Sequence, residues 1–155
     1  DNVAVINLIG RTFMSSYDCP FRAAEKLLGE LGETPKIKII DFHAEATSEK
    51  VALGRYFDGR VSAVLGTHTH VGTIDARILS GGTAYVTDIG MTGPLESVIG
   101  DNTDEVIQRF LTGIPNRLVV ASGPVIFTAM LLDIDDTTGK AKSIERIYRE
   151  VAGEN

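Results

Sequence analysis

Apolar residues recur along this chain in two rhythms. Short runs rich in β-branched side chains mark strands over 3–8, 36–41 and 61–65. The first of these reads as an interior strand. Between the first two, Phe21, Ala24, Leu27, Leu28 and Leu31 repeat at helical spacing behind Pro20, whose missing N–H costs nothing at a helix start. Gly32 and Pro35 end that helix. Between the second and third runs, Thr47 or Ser48 offers an N-cap, Glu49 falls in the first turn, and Val51, Ala52, Tyr56 and Phe57 supply an apolar face before Asp58-Gly59. The unit is strand, helix, strand. A right-handed crossover makes such strands parallel, so residues 42–45 and 66–70 both leave at the carboxyl end of one sheet.

Further on, 76–79 and 83–87 flank Ser80-Gly81-Gly82 as a β-hairpin. Asn102 and Glu105 are spaced as a capping box, with Val106, Ile107, Phe110 and Leu111 as the buried stripe of the helix they open and Gly113 and Pro115 as its stop. Strands are predicted over 117–121 and 125–135, a turn over 136–140, and a last strand over 141–151. Ile144, Ile147, Tyr148 and Val151 fit a helix there as well. No repeat or linker interrupts the chain, which reads as one structural unit of class α/β.

Composition narrows the class. With 155 residues, 43% hydrophobic and 23% charged, the chain suits a single folded domain with a real core. A net charge of −6 argues against affinity for double-stranded nucleic acid, which needs a basic surface. No apolar run reaches the length of a membrane span and no signal-like start is present, so a cytoplasmic location without membrane contact is expected. The single cysteine, Cys19, excludes an internal disulfide and fits a reducing compartment. Its place before a helix start could activate it as a nucleophile, but an inert structural thiol is the favoured reading.

All three histidines, His43, His68 and His70, fall at the two predicted strand ends. Extended backbone at His68-Thr69-His70 would put both imidazoles on one face, and neutral imidazole is a common ligand for zinc, iron and manganese. One histidine is usually an ordinary hydrogen-bonded side chain; three at two strand ends favour a metal. Spacing alone also allows a mononuclear zinc amidohydrolase, which would need further ligands at later strand ends. Asp88 is open between metal ligand, carboxylate behind a ligand and turn former.

Longer words are more specific. Asp41-Phe42-His43-Ala44-Glu45-Ala46-Thr47-Ser48-Glu49-Lys50, then Gly66-Thr67-His68-Thr69-His70-Val71, then Gly81-Gly82-Thr83-Ala84-Tyr85-Val86-Thr87-Asp88-Ile89-Gly90-Met91-Thr92-Gly93-Pro94 closely resemble a bacterial family of calcineurin-like metallophosphoesterases that act on cyclic nucleotides, including 2′,3′-cyclic ones. The resemblance runs over 3–149. It implies a metallophosphoesterase-type β-sandwich flanked by helices, of which this chain is the C-terminal half, with 1–155 the C-terminal part of a single domain. It implies two metal ions (iron, manganese or zinc) with His43, His68 and His70 among the ligands, and a small phosphodiester substrate. The family's early metal-binding segment and its candidate general acid have no counterpart in these residues, so the absent N-terminal half is an expected partner. Gly72 stands where the family pattern has a longer polar residue. Homo-oligomerisation through a cut sheet edge is a further expectation. The rival reading is a catalytically silent fragment, or a structural module with an incomplete metal site.

Overall fold

The structure, a computed structural model, describes residues 2–152. Eleven elements follow one another among them: β1 Val3–Ile9, α1 Pro20–Leu31, β2 Ile37–His43, α2 Thr47–Tyr56, β3 Ala63–Thr67, β4 Arg77–Ile78, β5 Ala84–Val86, β6 Gly93–Pro94, α3 Thr103–Thr112, β7 Val125–Ile134 and β8 Ala141–Val151. They form two compact units. One comprises the chain up to Gly90 together with Met130–Arg146, the other Met91–Ala129 with the stretch from Ile147 on.

In the first unit a five-stranded sheet runs in the order β1-β2-β3-β5-β4. β1, β2, β3 and β5 are parallel, and β4 closes the edge as the antiparallel arm of the predicted hairpin. Strand alternation divides the core. Ile6, Leu8, Ile40, Phe42, Val64 and Tyr85 face one side, where Ala24 of α1 and Leu53 and Phe57 at α2 cover them. Ile39, Ala63, Leu65, Ile78 and Ala84 face the other, against Leu132, Ile134, Ala141 and Ile144 of β7 and β8. Helices on one face and strands on the other make the α/β sandwich that the sequence implied.

The register brings polar residues together at the carboxyl end. Asn7 lies beside Asp41, and His43 beside Thr67. Both pairs belong to the odd-numbered positions, on the face away from the helices.

Several expectations are corrected. β1 is an edge strand, not an interior one: Ile6 and Leu8 are buried, whereas Val3 and Val5 are 52% and 68% exposed. The cap of α2 is Ala46, with no side-chain hydrogen bond. Its buried face is Glu49, Lys50, Leu53 and Gly54, continued by Phe57, while Ala52 and Tyr56 are exposed. Hydrogen-bonding need adds Glu49 and Lys50 to the apolar Leu53 and Phe57 on that face. The stretch 117–121 contributes only an isolated bridge, Asp101 to Val120. Strands β7 and β8 do form, and the strand alternative for 141–151 holds.

In the second unit the capping box is half made. Asn102 accepts from the N–H groups of Asp104 and Glu105, but Glu105 turns to the N–H of Val119, and the Asn102 N–H bonds the Val119 carbonyl instead. Of the predicted stripe on α3, only Val106 is buried; Ile107, Phe110 and Leu111 are 46%, 82% and 74% exposed.

Candidate functional site

The carboxyl ends of β1, β2 and β3 carry a connected row of polar side chains. Asn7 donates from Nδ2 to Asp41 Oδ2 at 2.7 Å, and the Thr67 hydroxyl donates to Asp41 Oδ1 at 2.9 Å. With its proton committed, Thr67 Oγ1 accepts from His43 Nδ1, 3.2 Å away. That fixes the His43 tautomer. Its Nε2 therefore carries the lone pair, and His68 Nδ1 lies 3.0 Å from it, the rings meeting edge to face with centroids 4.7 Å apart. His68 Nε2 in turn sits 3.0 Å from Glu45 Oε2. Burial, followed by the neighbouring His68, pushes the His43 pKa below its ordinary value and keeps this imidazole neutral.

Two of the three predicted ligands, His43 and His68, thus converge, and His70 follows on the exposed turn beyond them. The backbone after β3 is not extended: His68 and His70 have φ of 108° and 64°. Alternation along a strand cannot apply there, and His70 is exposed while His68 turns inward to His43. Among the described residues no three histidine, cysteine, aspartate or glutamate side chains together make a group that could hold a metal ion. The donor chemistry nevertheless suits one. A neutral imidazole whose Nδ1–H is bonded to a hydroxyl backed by a carboxylate presents Nε2 as metal-binding histidines do.

Behind this row, two adjacent charged residues at the start of α2 hold the loops in place. Glu49 accepts from the N–H groups of Arg11 and Thr12, both at 3.2 Å, and so fixes the exit from β1. Lys50 donates to Asp88 Oδ2 at 2.8 Å, with both side chains 1% exposed. The same Asp88 oxygen accepts from the N–H of Thr69, between His68 and His70, and Oδ1 accepts from the Gly90 N–H at 2.9 Å. Burial raises the Asp88 pKa, but Lys50 and these N–H groups outweigh it, so the net shift is downward. Asp88 is thereby a structural anchor of the histidine loop.

Arg146 completes the support by donating to the carbonyls of Ile89, Thr73 and Asp88. A Cβ at Gly72 would lie 2.5 Å from its Nη1, so a longer residue there would require the Arg146 guanidinium to move. Nothing in the hydropathy pattern marks Glu49, Lys50 or Arg146. Thr67 had one signal, its place directly before the His-x-His pair. Cys19 is free and caps α1; the Arg22 N–H is the main influence lowering its pKa, against a contrary effect of burial.

A family model described as YmdB-like protein matches residues 1–147. The chain belongs to the YmdB-like family. It is 54% identical over 145 residues to a Bacillus subtilis (strain 168) protein named 2′,3′-cyclic-nucleotide 2′-phosphodiesterase, covering 94% of this chain and 55% of that one. Among solved structures, a hypothetical protein from Thermus thermophilus superposes with a TM-score of 0.89 at 46% identity, over 94% of this chain and 56% of that one. A Mycoplasma pneumoniae protein described as a novel phosphatase gives 0.88 at 35% identity, over 97% and 53%. The chain spans about half the length of these proteins. Among the described residues no helix is long and apolar enough to cross a membrane.

Proposed function

We propose that this chain forms the histidine-bearing part of a metal-dependent phosphodiesterase that opens cyclic nucleotides, 2′,3′-cyclic ones foremost. The observation that carries the reading is the tautomer of His43, whose Nδ1 is committed to Thr67 and whose Nε2 lone pair faces His68 Nδ1 at 3.0 Å, so that two imidazole nitrogens point at one another where an ion would come between them. The name of the Bacillus subtilis relative supports the substrate class.

His43, His68 and His70 would supply nitrogen ligands for two ions of iron, manganese or zinc. When bound, such ions polarise a phosphate oxygen and make water a nucleophile at neutral pH. The chain's own groups prepare that chemistry. Asn7, Asp41 and Thr67 orient His43; Asp88, clamped by Lys50, holds the loop on which His68 and His70 sit. Glu45 Oε2, 3.0 Å from His68 Nε2, holds that ring in place. In the reaction, a water oxygen would bond to phosphorus, one phosphorus–ribose oxygen bond would break, and the proton would pass to the leaving ribose oxygen. The general acid and the oxygen ligands would come from the rest of the whole protein, with these 155 residues the C-terminal part of its metallophosphoesterase domain.

The test is full-length protein with manganese or iron and 2′,3′-cyclic AMP, in wild type and His43→Ala, with metal measured by elemental analysis in His68→Ala and His70→Ala. Hydrolysis lost in the first variant and metal lowered in the others is expected. A wild type without activity, or unchanged metal in both variants, would overturn the reading. The absence of a three-ligand group among the described residues favours a second reading for the 155 residues alone, that by themselves they are catalytically silent. Turnover by the isolated chain would refute it.

A further inference from the structure

The loop after β1 and the first turns of α1 carry features that the phosphodiester site does not use. Gly10 donates its N–H to the His43 carbonyl at 2.8 Å, so the chain leaves β1 directly beside the histidine row. Glu49 then clamps Arg11 and Thr12. From that clamp Phe13 projects 88% exposed with a φ of 62°, a backbone conformation that is costly for a bulky residue and tends to persist at functional sites. Arg11, two residues before it on the same loop, lines a groove of about 670 Å³ with Tyr17, Arg22 and Lys26, and with Asp18 and Glu30 also on its wall. Three cations against two acids stand out on a chain of net charge −6.

Each feature has a counterpart in a nucleic-acid strand. Guanidinium groups grip phosphate oxygens in a bidentate fork, and exposed aromatic rings stack on bases of any sequence. A mononucleotide with a 2′,3′-cyclic phosphate carries one phosphate, which the histidine row would engage. The cationic groove begins at Arg11, directly after the Gly10 that bonds the His43 carbonyl. We propose that the groove formed by Arg11, Tyr17, Arg22 and Lys26, with Phe13 on the same loop as Arg11, receives the nucleotide preceding a terminal 2′,3′-cyclic phosphate, so that short RNA ends are better substrates than mononucleotides. This rests on the phosphodiesterase reading above and extends it from a substrate class to a substrate length. Arg11 and Arg22 would hold the internucleotide phosphate, and Phe13 or Tyr17 would stack the penultimate base. The acidic surface elsewhere is consistent with a single-stranded end of a few nucleotides rather than a long duplex.

The experiment compares the full-length protein on 2′,3′-cyclic AMP and on the dinucleotide ApA ending in a 2′,3′-cyclic phosphate. In parallel, fluorescence anisotropy follows binding of 5′-labelled ApA with a 3′-phosphate. Wild type should favour the dinucleotide about tenfold in kcat/KM, and Arg11→Gln/Arg22→Gln should bring that ratio close to one while weakening binding of the labelled dinucleotide about tenfold. Phe13→Ala, a surface change that leaves both arginines in place, should weaken that binding several-fold. A wild-type ratio near one, or equal binding by wild type and the arginine variant, would overturn the proposal while leaving cyclic-nucleotide hydrolysis intact. If neither compound is hydrolysed, the phosphodiesterase reading fails, and arginine-dependent binding of the labelled dinucleotide still decides for or against the groove.

Discussion

Replacing Asp88 by asparagine removes one charge from a pair in which both side chains are 1% exposed. The Lys50 ammonium would remain in the core facing a neutral amide. Breaking a buried pair from one side costs about 3–5 kcal/mol, because the remaining charge keeps its desolvation penalty. Lys50→Met should cost less, about 2–3 kcal/mol, since Asp88 still accepts from the Thr69 and Gly90 N–H groups. The double variant should recover part of the loss, with a coupling energy of at least about 1.5 kcal/mol. Urea denaturation at pH 7, followed by circular dichroism with the slope checked for constancy, measures all three. Additive losses, with coupling under about 0.5 kcal/mol, would refute the pairing. The pH profile adds a check of sign. Because the folded pKa of Asp88 lies below its ordinary 3.8, its contribution is complete above that value and is lost as pH falls through the lower folded one. Wild type should therefore lose stability more steeply than Asp88→Asn below about pH 4.

Three further outcomes are expected. Thr67→Val leaves Asp41 Oδ1 without its donor, although Asn7 still reaches Oδ2, and leaves His43 Nδ1 without an acceptor, so metal affinity of the full-length protein should fall about 10–100-fold; unchanged affinity by calorimetry would deny the orienting role. Gly66→Ala would set a Cβ 1.7 Å from the Thr87 carbonyl oxygen, a backbone atom that cannot swing away, and should destabilise by about 3 kcal/mol or more; a loss under about 1 kcal/mol in thermal or urea melts would contradict the packing of β3 on the 87–89 strand exit. Glu25, gripped through both oxygens by Arg60, has its carboxyl pKa lowered to about 2, and in Arg60→Ala its NMR titration should move up toward about 4.3. A titration midpoint that stays near 2 would mean another group sets it.

What the sequence by itself determined is what depends on neighbours along the chain. The parallel strand–helix–strand unit, the hairpin around Ser80-Gly81-Gly82 and the helix behind Pro20 arise from local periodicity and turn chemistry, which act before any distant contact forms. The arrival of His43 and His68 at one sheet end follows from the handedness of a single crossover. Tertiary structure decided what depends on partners. Hydropathy assigned Ala52 and Tyr56 to the core side of α2, yet Glu49 and Lys50 are buried there because N–H groups and a carboxylate from residues 11, 12 and 88 await them. The α3 stripe is amphipathic by sequence, but whether such a face is covered depends on what packs on it, and only Val106 is. The His-x-His spacing was legible, whereas the positive φ at His68 and His70, which turns one ring toward His43 and leaves the other exposed, is set by Asp88 pulling on the Thr69 N–H from another strand end. Local pattern records each residue's preference; the hydrogen bonds and charges that satisfy or overrule it lie roughly 20 to 60 residues away, and only folding brings them within reach.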